Sequence, residues 1–360
     1  MTNTTHRVNA ARSQALVACA VLAAALATLI GIRSAANDDR LIAWVHEARV
    51  EAWSNSNALF HYTLGYEDFE TRLLLEELPA ADYSRGGAYM IGSSNAIASL
   101  MPWELTDETL PYLHNYSLSS ATQKEQFHFV RFLVEHENFL DADASKTFVV
   151  LGLFYGNAVP QTGSANVGVF ANFFTRYGLF EYDDAEGITP VRLGPLERRL
   201  RTERIRAAGF LHTIRRDFTF TRNLKLVPRL QHVFPGQHYP KAHQEGWRDF
   251  MGPEWETEMV AEMAALHDLI AYLVERGARV QAVILPLGSW HDALPYPSAF
   301  KQQVQGICED RGIPLTDWSD LLDDEDFMDS THANAAGQRK LHDALLELTA
   351  EHVAGLARTI

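Results

Sequence analysis

Ala88 to Leu100 reads AYMIGSSNAIASL: a short apolar run stops at Gly92-Ser93-Ser94-Asn95, and a helix-compatible segment follows. A strand that ends in glycine and small hydroxyl residues before a helix sets a serine at the carboxyl edge of a sheet. Open α/β folds hold their ligands at that edge, where the N–H groups of the next helix point outward. Ser94 is therefore the candidate nucleophile. The competing reading is that Ser93 or Ser94 only caps the helix, a common use of serine there.

Outward from this stretch, β-branched and aromatic runs alternate with amphipathic ones. YMIGSS is followed by HNYSL near Asn115, TFVVLGLF at 147–154, VQAVILPL at 280–287 and IPLTDW at 313–318. Helical spacing is clearest in Lys124–His136, Glu256–Arg276, Phe300–Arg311 and Ala336–Val353. Short apolar strands separated by helices predict a parallel sheet covered on both faces. The fold class expected is a three-layer, flavodoxin-like α/β domain, spanning residues 85–360.

Near the other end, Phe327 to Leu341 reads FMDSTHANAAGQRKL, with Asp329 three residues before His332. A carboxylate bonded to one imidazole nitrogen fixes the tautomer whose other nitrogen can take a serine proton. The alternative is a plain surface loop whose Asn334 caps the next helix. A strand-turn-helix serine and a D-x-x-H in the chain order Ser, Asp, His are more specific together than either is alone.

This pairing resembles the SGNH (GDSL-type) hydrolase superfamily, with Gly92-Ser93-Ser94 as its first block and Asp329-Ser330-Thr331-His332 as its last. Ser93 stands where the first block usually has Asp. In this the chain looks more like the membrane-anchored branch that includes the teichoic acid D-alanyl-transfer protein and, more distantly, the alginate O-acetylation proteins. The resemblance implies catalytic Ser94, Asp329 and His332, and an oxyanion hole of the Ser94 N–H, Asn157 and a second-block residue. That second block has no glycine. Within NYSLSSAT at 115–122, Ser119 or Ser120 stands in its place, so Ser119 is carried as the candidate. Trp290 and His291, in LPLGSWHD after the fourth strand, are candidates to line an acceptor pocket, or ordinary loop residues.

The resemblance further implies a serine acyl-enzyme acting on a cell-envelope or exported polysaccharide, beside a multi-spanning membrane acyltransferase. The alternatives are a periplasmic carbohydrate esterase or lipase, and a catalytically inactive assembly or binding protein on the same fold. No cofactor is expected. The 15 histidines show no H-E-x-x-H and the two cysteines no paired spacing, so no metal site is expected either. A formal charge of −15 argues against nucleic acid as a partner.

Ala15 to Ile32 is an uncharged 18-residue run. As a helix it would reach about 27 Å, near the thickness of a bilayer core. Residues 1–36 are read as a cytoplasmic tail and transmembrane anchor rather than a signal peptide cut after Ala36, whose apolar core would be shorter. That reading, with the resemblance, places the chain as a single-pass protein of a bacterial inner membrane, its catalytic domain in the periplasm or outside the cell. Residues 37–84 carry helical apolar spacing and are expected to form a stalk or lid.

The connection at about 155–253 is far longer than an ordinary crossover and is expected to hold an insertion. Between Arg192 and Lys241 it carries 12 basic residues against Glu197, Glu203 and Asp217. Leu196, Leu200, Ala207, Leu211 and Ile214 fall on one helical face, with Arg198, Arg199, Arg201, Arg206 and Arg215 largely off it. The segment is either a solvated basic helix packed on the domain or an amphipathic helix meeting anionic lipid, a membrane partner or an acidic polymer.

Overall fold

The computed structural model describes residues 69–358 except 141–142, 160–173, 184, 221–225 and 229–239, together with scattered residues of 20–47. Much of the 15–32 run, and most of 37–68, lie outside the described residues. Among the described residues no helix is long and apolar enough to cross a membrane.

Nine strands occur among the described residues, in chain order: β1 Gly87–Gly92, β2 Leu113–Asn115, β3 Thr147–Leu153, β4 Phe180–Asp183, β5 Gly187–Pro190, β6 Phe218–Phe220, β7 Leu226–Pro228, β8 Arg279–Ile284 and β9 Leu315–Asp317. Five of them build one parallel sheet in the order β2-β1-β3-β8-β9. These are the five runs read from the sequence. β1 and β3 are buried along their whole length, as strands covered on both faces must be.

The helices are α1 Ser94–Ile97, α2 Gln123–His136, α3 Pro195–Asp217, α4 Pro240–Met251, α5 Trp255–Glu275, α6 Tyr296–Arg311 and α7 Ala335–Ala357. The chain leaves β1 toward β2 in one direction and then steps the other way through β3, β8 and β9. Right-handed crossovers therefore put α2, α5 and α6 on one face and α1 on the opposite one. Contacts agree: α5 packs on β8, α2 and α6, while α1 and α7 meet β1. The result is three layers, with the carboxyl ends of β1, β3 and β8 opening on one edge.

Local chemistry sets the helix ends. Thr122 and Glu125 close a capping box at the start of α2. The Asn334 side chain accepts the N–H groups of Ala336 and Gly337 at the start of α7. Gly312, at φ 65°, ends α6 in the left-handed conformation that glycine takes without strain.

Between β3 and β8 the insertion supplies the hairpins β4–β5 and β6–β7 and the helices α3 and α4. On α3 the leucine face is not the one packed on the domain, which sets aside the first of the two readings, a solvated basic helix packed on the domain. Leu196, Leu200 and Leu211 are 71%, 62% and 47% exposed, whereas Ile205 and Phe210 are buried. Arginines off that face reach the domain: Arg198 donates to the Val191 carbonyl, and Arg201 to the Gly178 carbonyl and Glu197. Arg206 pairs with Glu76. A guanidinium fork on a long stem can satisfy loop carbonyls that leucine cannot, which accounts for arginines on the face toward the domain. Before β1, a helical stretch at 69–80 sends Leu73, Leu74 and Leu78 into the core, so that end of the expected stalk is part of the domain.

Candidate active site

β1 runs straight into the turn that presents Ser94. A Cβ on Gly92 would lie 2.6 Å from both the Gly152 carbonyl oxygen and the Ala96 Cβ, so only glycine lets α1 fold back this closely. Ser93 is the N-cap, yet its side chain makes no capping bond. The capping reading therefore does not account for this pair of serines. Ser94 Oγ lies 2.9 Å from His332 Nε2, and His332 Nδ1 lies 2.9 Å from Asp329 Oδ2. Because an ionised carboxylate only accepts, Nδ1 carries the proton and Nε2 is left to accept from the serine hydroxyl.

The loop bearing the acid and the base is closed on itself. Phe327 and Ala333 form an antiparallel bridge, and Met328 N–H donates to the His332 carbonyl. Asp329 Oδ1 accepts the N–H groups of Thr331 and His332, both at 2.7 Å. Burial alone would raise the Asp329 pKa. The hydrogen bond to His332, its charge and the two backbone donors outweigh burial and hold the carboxyl below its ordinary value. The side chains of His332 and Asp329 stay about a quarter exposed, so the base is reachable from outside.

Three contacts tie this loop to the rest of the edge. Asn95 Nδ2 donates to the Thr331 carbonyl at 3.0 Å. Trp290 Nε1 and His291 Nε2 both meet the Ser330 carbonyl at 3.1 Å. Since a carbonyl cannot donate, His291 carries its proton on Nε2 and accepts the Tyr155 hydroxyl on Nδ1, at 2.7 Å. Burial pushes the His291 pKa down to about 4, against the Ser330 bond, so this ring is neutral at ordinary pH.

Several expected roles need correcting. Trp290 and His291 are each 1% exposed and border neither the cavity beside Ser330 nor the one around β2; they hold the Ser330 carbonyl of the Asp329–His332 loop. The Ser119 N–H, offered as an oxyanion donor, is already given to the buried Glu70 carboxylate at 2.7 Å. Ser117 N–H is likewise bound, to Asn115 Oδ1. Asn157 does sit in the turn Tyr155–Asn157 that follows β3, buried at the same edge. Its carboxamide oxygen has no hydrogen-bond partner among the described residues.

Asn95, Glu70 and Tyr155 are residues in the hydrogen bonds of this edge that the sequence did not single out. Asn95 had a signal, its place directly after Ser94. Glu70, 49 residues from its partner, had none.

A cavity of about 300 Å³ opens beside Ser330, bounded by Ala242, His243, Gly246, Trp247 and Phe250. Helix α4 forms that wall, packing Trp247 against Tyr155 and His243 against Trp290 with their rings tilted. A larger cavity, about 520 Å³, lies around β2 and touches His114, Asn115 and Tyr116. Neither cavity is lined by Ser94, Asp329 or His332; the smaller one adjoins their loop through Ser330.

No family model matches the chain, and no curated protein matches it. Among solved structures it is similar to the crystal structure of a "putative acylhydrolase" from Bacteroides fragilis NCTC 9343. The identity is 10%, the match covers 78% of this chain and 95% of that one, and the TM-score is 0.39. A similarity that low carries no argument about family or activity.

Proposed function

We propose that this chain is a membrane-anchored serine acyltransferase or esterase that acts on a cell-envelope or exported polysaccharide through a Ser94 acyl-enzyme. One observation carries the reading: Ser94 Oγ, His332 and Asp329 lie in a continuous hydrogen-bonded line, each step 2.9 Å, with the base still reachable. His332 Nε2 takes the hydroxyl proton as Oγ attacks the acyl carbonyl. The developing imidazolium is stabilised by ionised Asp329, and the oxyanion by the Ser94 N–H and the Asn157 carboxamide. His332 then gives the proton to the leaving oxygen, and the acyl group stays on Ser94. An acceptor hydroxyl, or water, is deprotonated by the same nitrogen in the second half-reaction. The polysaccharide acceptor, the exported location and a multi-spanning acyltransferase partner rest on the family resemblance and the apolar 15–32 run.

One observation favours a second reading, a catalytically idle assembly or binding protein: the Ser119 N–H is spent on Glu70, which leaves the oxyanion hole one donor short. Turnover of a small chromogenic acetyl ester by the full chain separates the two. The enzyme reading expects hydrolysis that is lost in Ser94→Ala, and release of acetylated sugar when an oligosaccharide is added. Equal, near-background turnover by the wild type and Ser94→Ala would leave the scaffold reading.

A further inference from the structure

Helix α3 presents an apolar stripe that the fold does not use. Leu196 and Leu200 are one turn apart, and Leu211 falls on the same face three turns further on; all three are exposed, to 71%, 62% and 47%. Exposed Arg199 and Arg204 flank this stripe on its two sides, and neither makes an ion pair or hydrogen bond among the described residues. Arg198, Arg201 and Arg206, by contrast, are held by Val191, by Gly178 and Glu197, and by Glu76. Leucines between uncommitted arginines form the pattern of a helix lying in a lipid interface.

A second observation sets the depth. Arg33, the first residue after the uncharged 15–32 run, pairs with Glu203 on α3 at 3.2 Å. Glu203 lies near the middle of α3, beside the leucine stripe. If the run spans a bilayer, Arg33 stands at headgroup level, and the ion pair brings α3 to the same level. Val21, Leu26 and Ile30, within that run, are themselves exposed.

We infer that the Leu196–Leu200–Leu211 face of α3 rests on the surface of an anionic bilayer, with Arg199 and Arg204 among the headgroups. This rests on the anchored reading given under the proposed function, and it adds a second contact that fixes how the domain is turned relative to the membrane. Area argues against a protein occupant. Three leucine side chains offer far less than the roughly 800 Å² per side that a standard protein–protein interface buries. Lipid needs no such area once basic residues add their attraction to anionic headgroups.

The test uses the full chain in vesicles of phosphatidylcholine and phosphatidylglycerol, with Cys19→Ser so that the buried Cys308 is the only native thiol. An environment-sensitive fluorophore is placed at Leu200→Cys, at Ala24→Cys or at Glu245→Cys, the last exposed on α4. Lipids carrying a nitroxide near the headgroup should quench the label at 200 and not that at 245. Quenching at 200 should weaken when Arg199 and Arg204 become glutamine or when phosphatidylglycerol is left out. No quenching at 200 overturns the inference, whether the label reports water or a dry protein contact. The label at 24 reads the anchor separately. Loss of quenching there by nitroxides deep in the bilayer removes the anchored reading, whatever position 200 shows.

Discussion

Asn95, the residue after the candidate nucleophile, donates its side-chain N–H to the carbonyl of Thr331, the residue before the candidate base, at 3.0 Å. The bond joins two turns 236 residues apart in the chain and closes a small ring through Ser94 Oγ and His332 Nε2. Removing it should let the two turns drift without unpacking either. Asn95→Ala should therefore lower kcat by about tenfold, the worth of one buried hydrogen bond expressed in the transition state, while KM changes little. Steady-state kinetics on a soluble acetyl ester check this. A KM effect with kcat intact would assign Asn95 to substrate binding.

Ser94→Ala and His332→Ala should each cost about 10⁴- to 10⁶-fold in turnover, and the double variant little more, because the groups act as one unit. Losses that multiply would mean that serine and histidine act in separate steps.

His291 makes stability depend on pH in a defined window. Unfolded, its ring takes a proton below the ordinary 6.5; folded, only near 4. Between those values the unfolded chain holds the extra proton, so stability rises with pH across the window, by up to about 3 kcal/mol from this ring. His114, also lowered to about 4 by burial, adds a slope of the same sign. Denaturant titrations from pH 4 to pH 7 should show a slope smaller by about one proton in His291→Gln than in the wild type. Parallel curves would mean that His291 is not the buried neutral ring described.

The close approach at Gly92 predicts a fold defect rather than a kinetic one. Gly92→Ala must displace the Gly152 carbonyl or Ala96, at a cost of about 1–3 kcal/mol. Gly306→Ala, with nothing within 4 Å of the added carbon on α6, should leave the melting temperature unchanged or higher. Equal melting temperatures for the two variants would contradict the packing described at the end of β1.

The sheet was legible because its central strands, β1, β3 and most of β8, are buried on both faces and so read as unbroken apolar runs; TFVVLGLF is β3 almost to the residue. Ser94, Asp329 and His332 were legible because each sits beside an element boundary that composition marks. Trp290 and His291 were found at the right edge, with their task left open between an acceptor pocket and an ordinary loop. A sequence shows that an aromatic and an imidazole follow a strand, but not whether they face the cleft or the underside of the next loop. For the same reason the sequence left two readings of α3 open. Helical spacing identifies an apolar face, but which face meets the domain was decided by Arg198, Arg201 and Arg206 reaching Val191, Gly178 and Glu76, contacts made across other elements. Glu70 belongs to the same class, a distant carboxylate that takes the N–H of Ser119.

The central claim is that Ser94 carries the acyl group, and mass spectrometry of the full chain tests it most directly. After a brief incubation with an activated acetyl ester and an acid quench, the peptide containing Ser94 should carry one acetyl group in the wild type. None should appear there in Ser94→Ala or in His332→Ala. An adduct found at another residue, or one formed on Ser94 equally well without His332, would contradict the account.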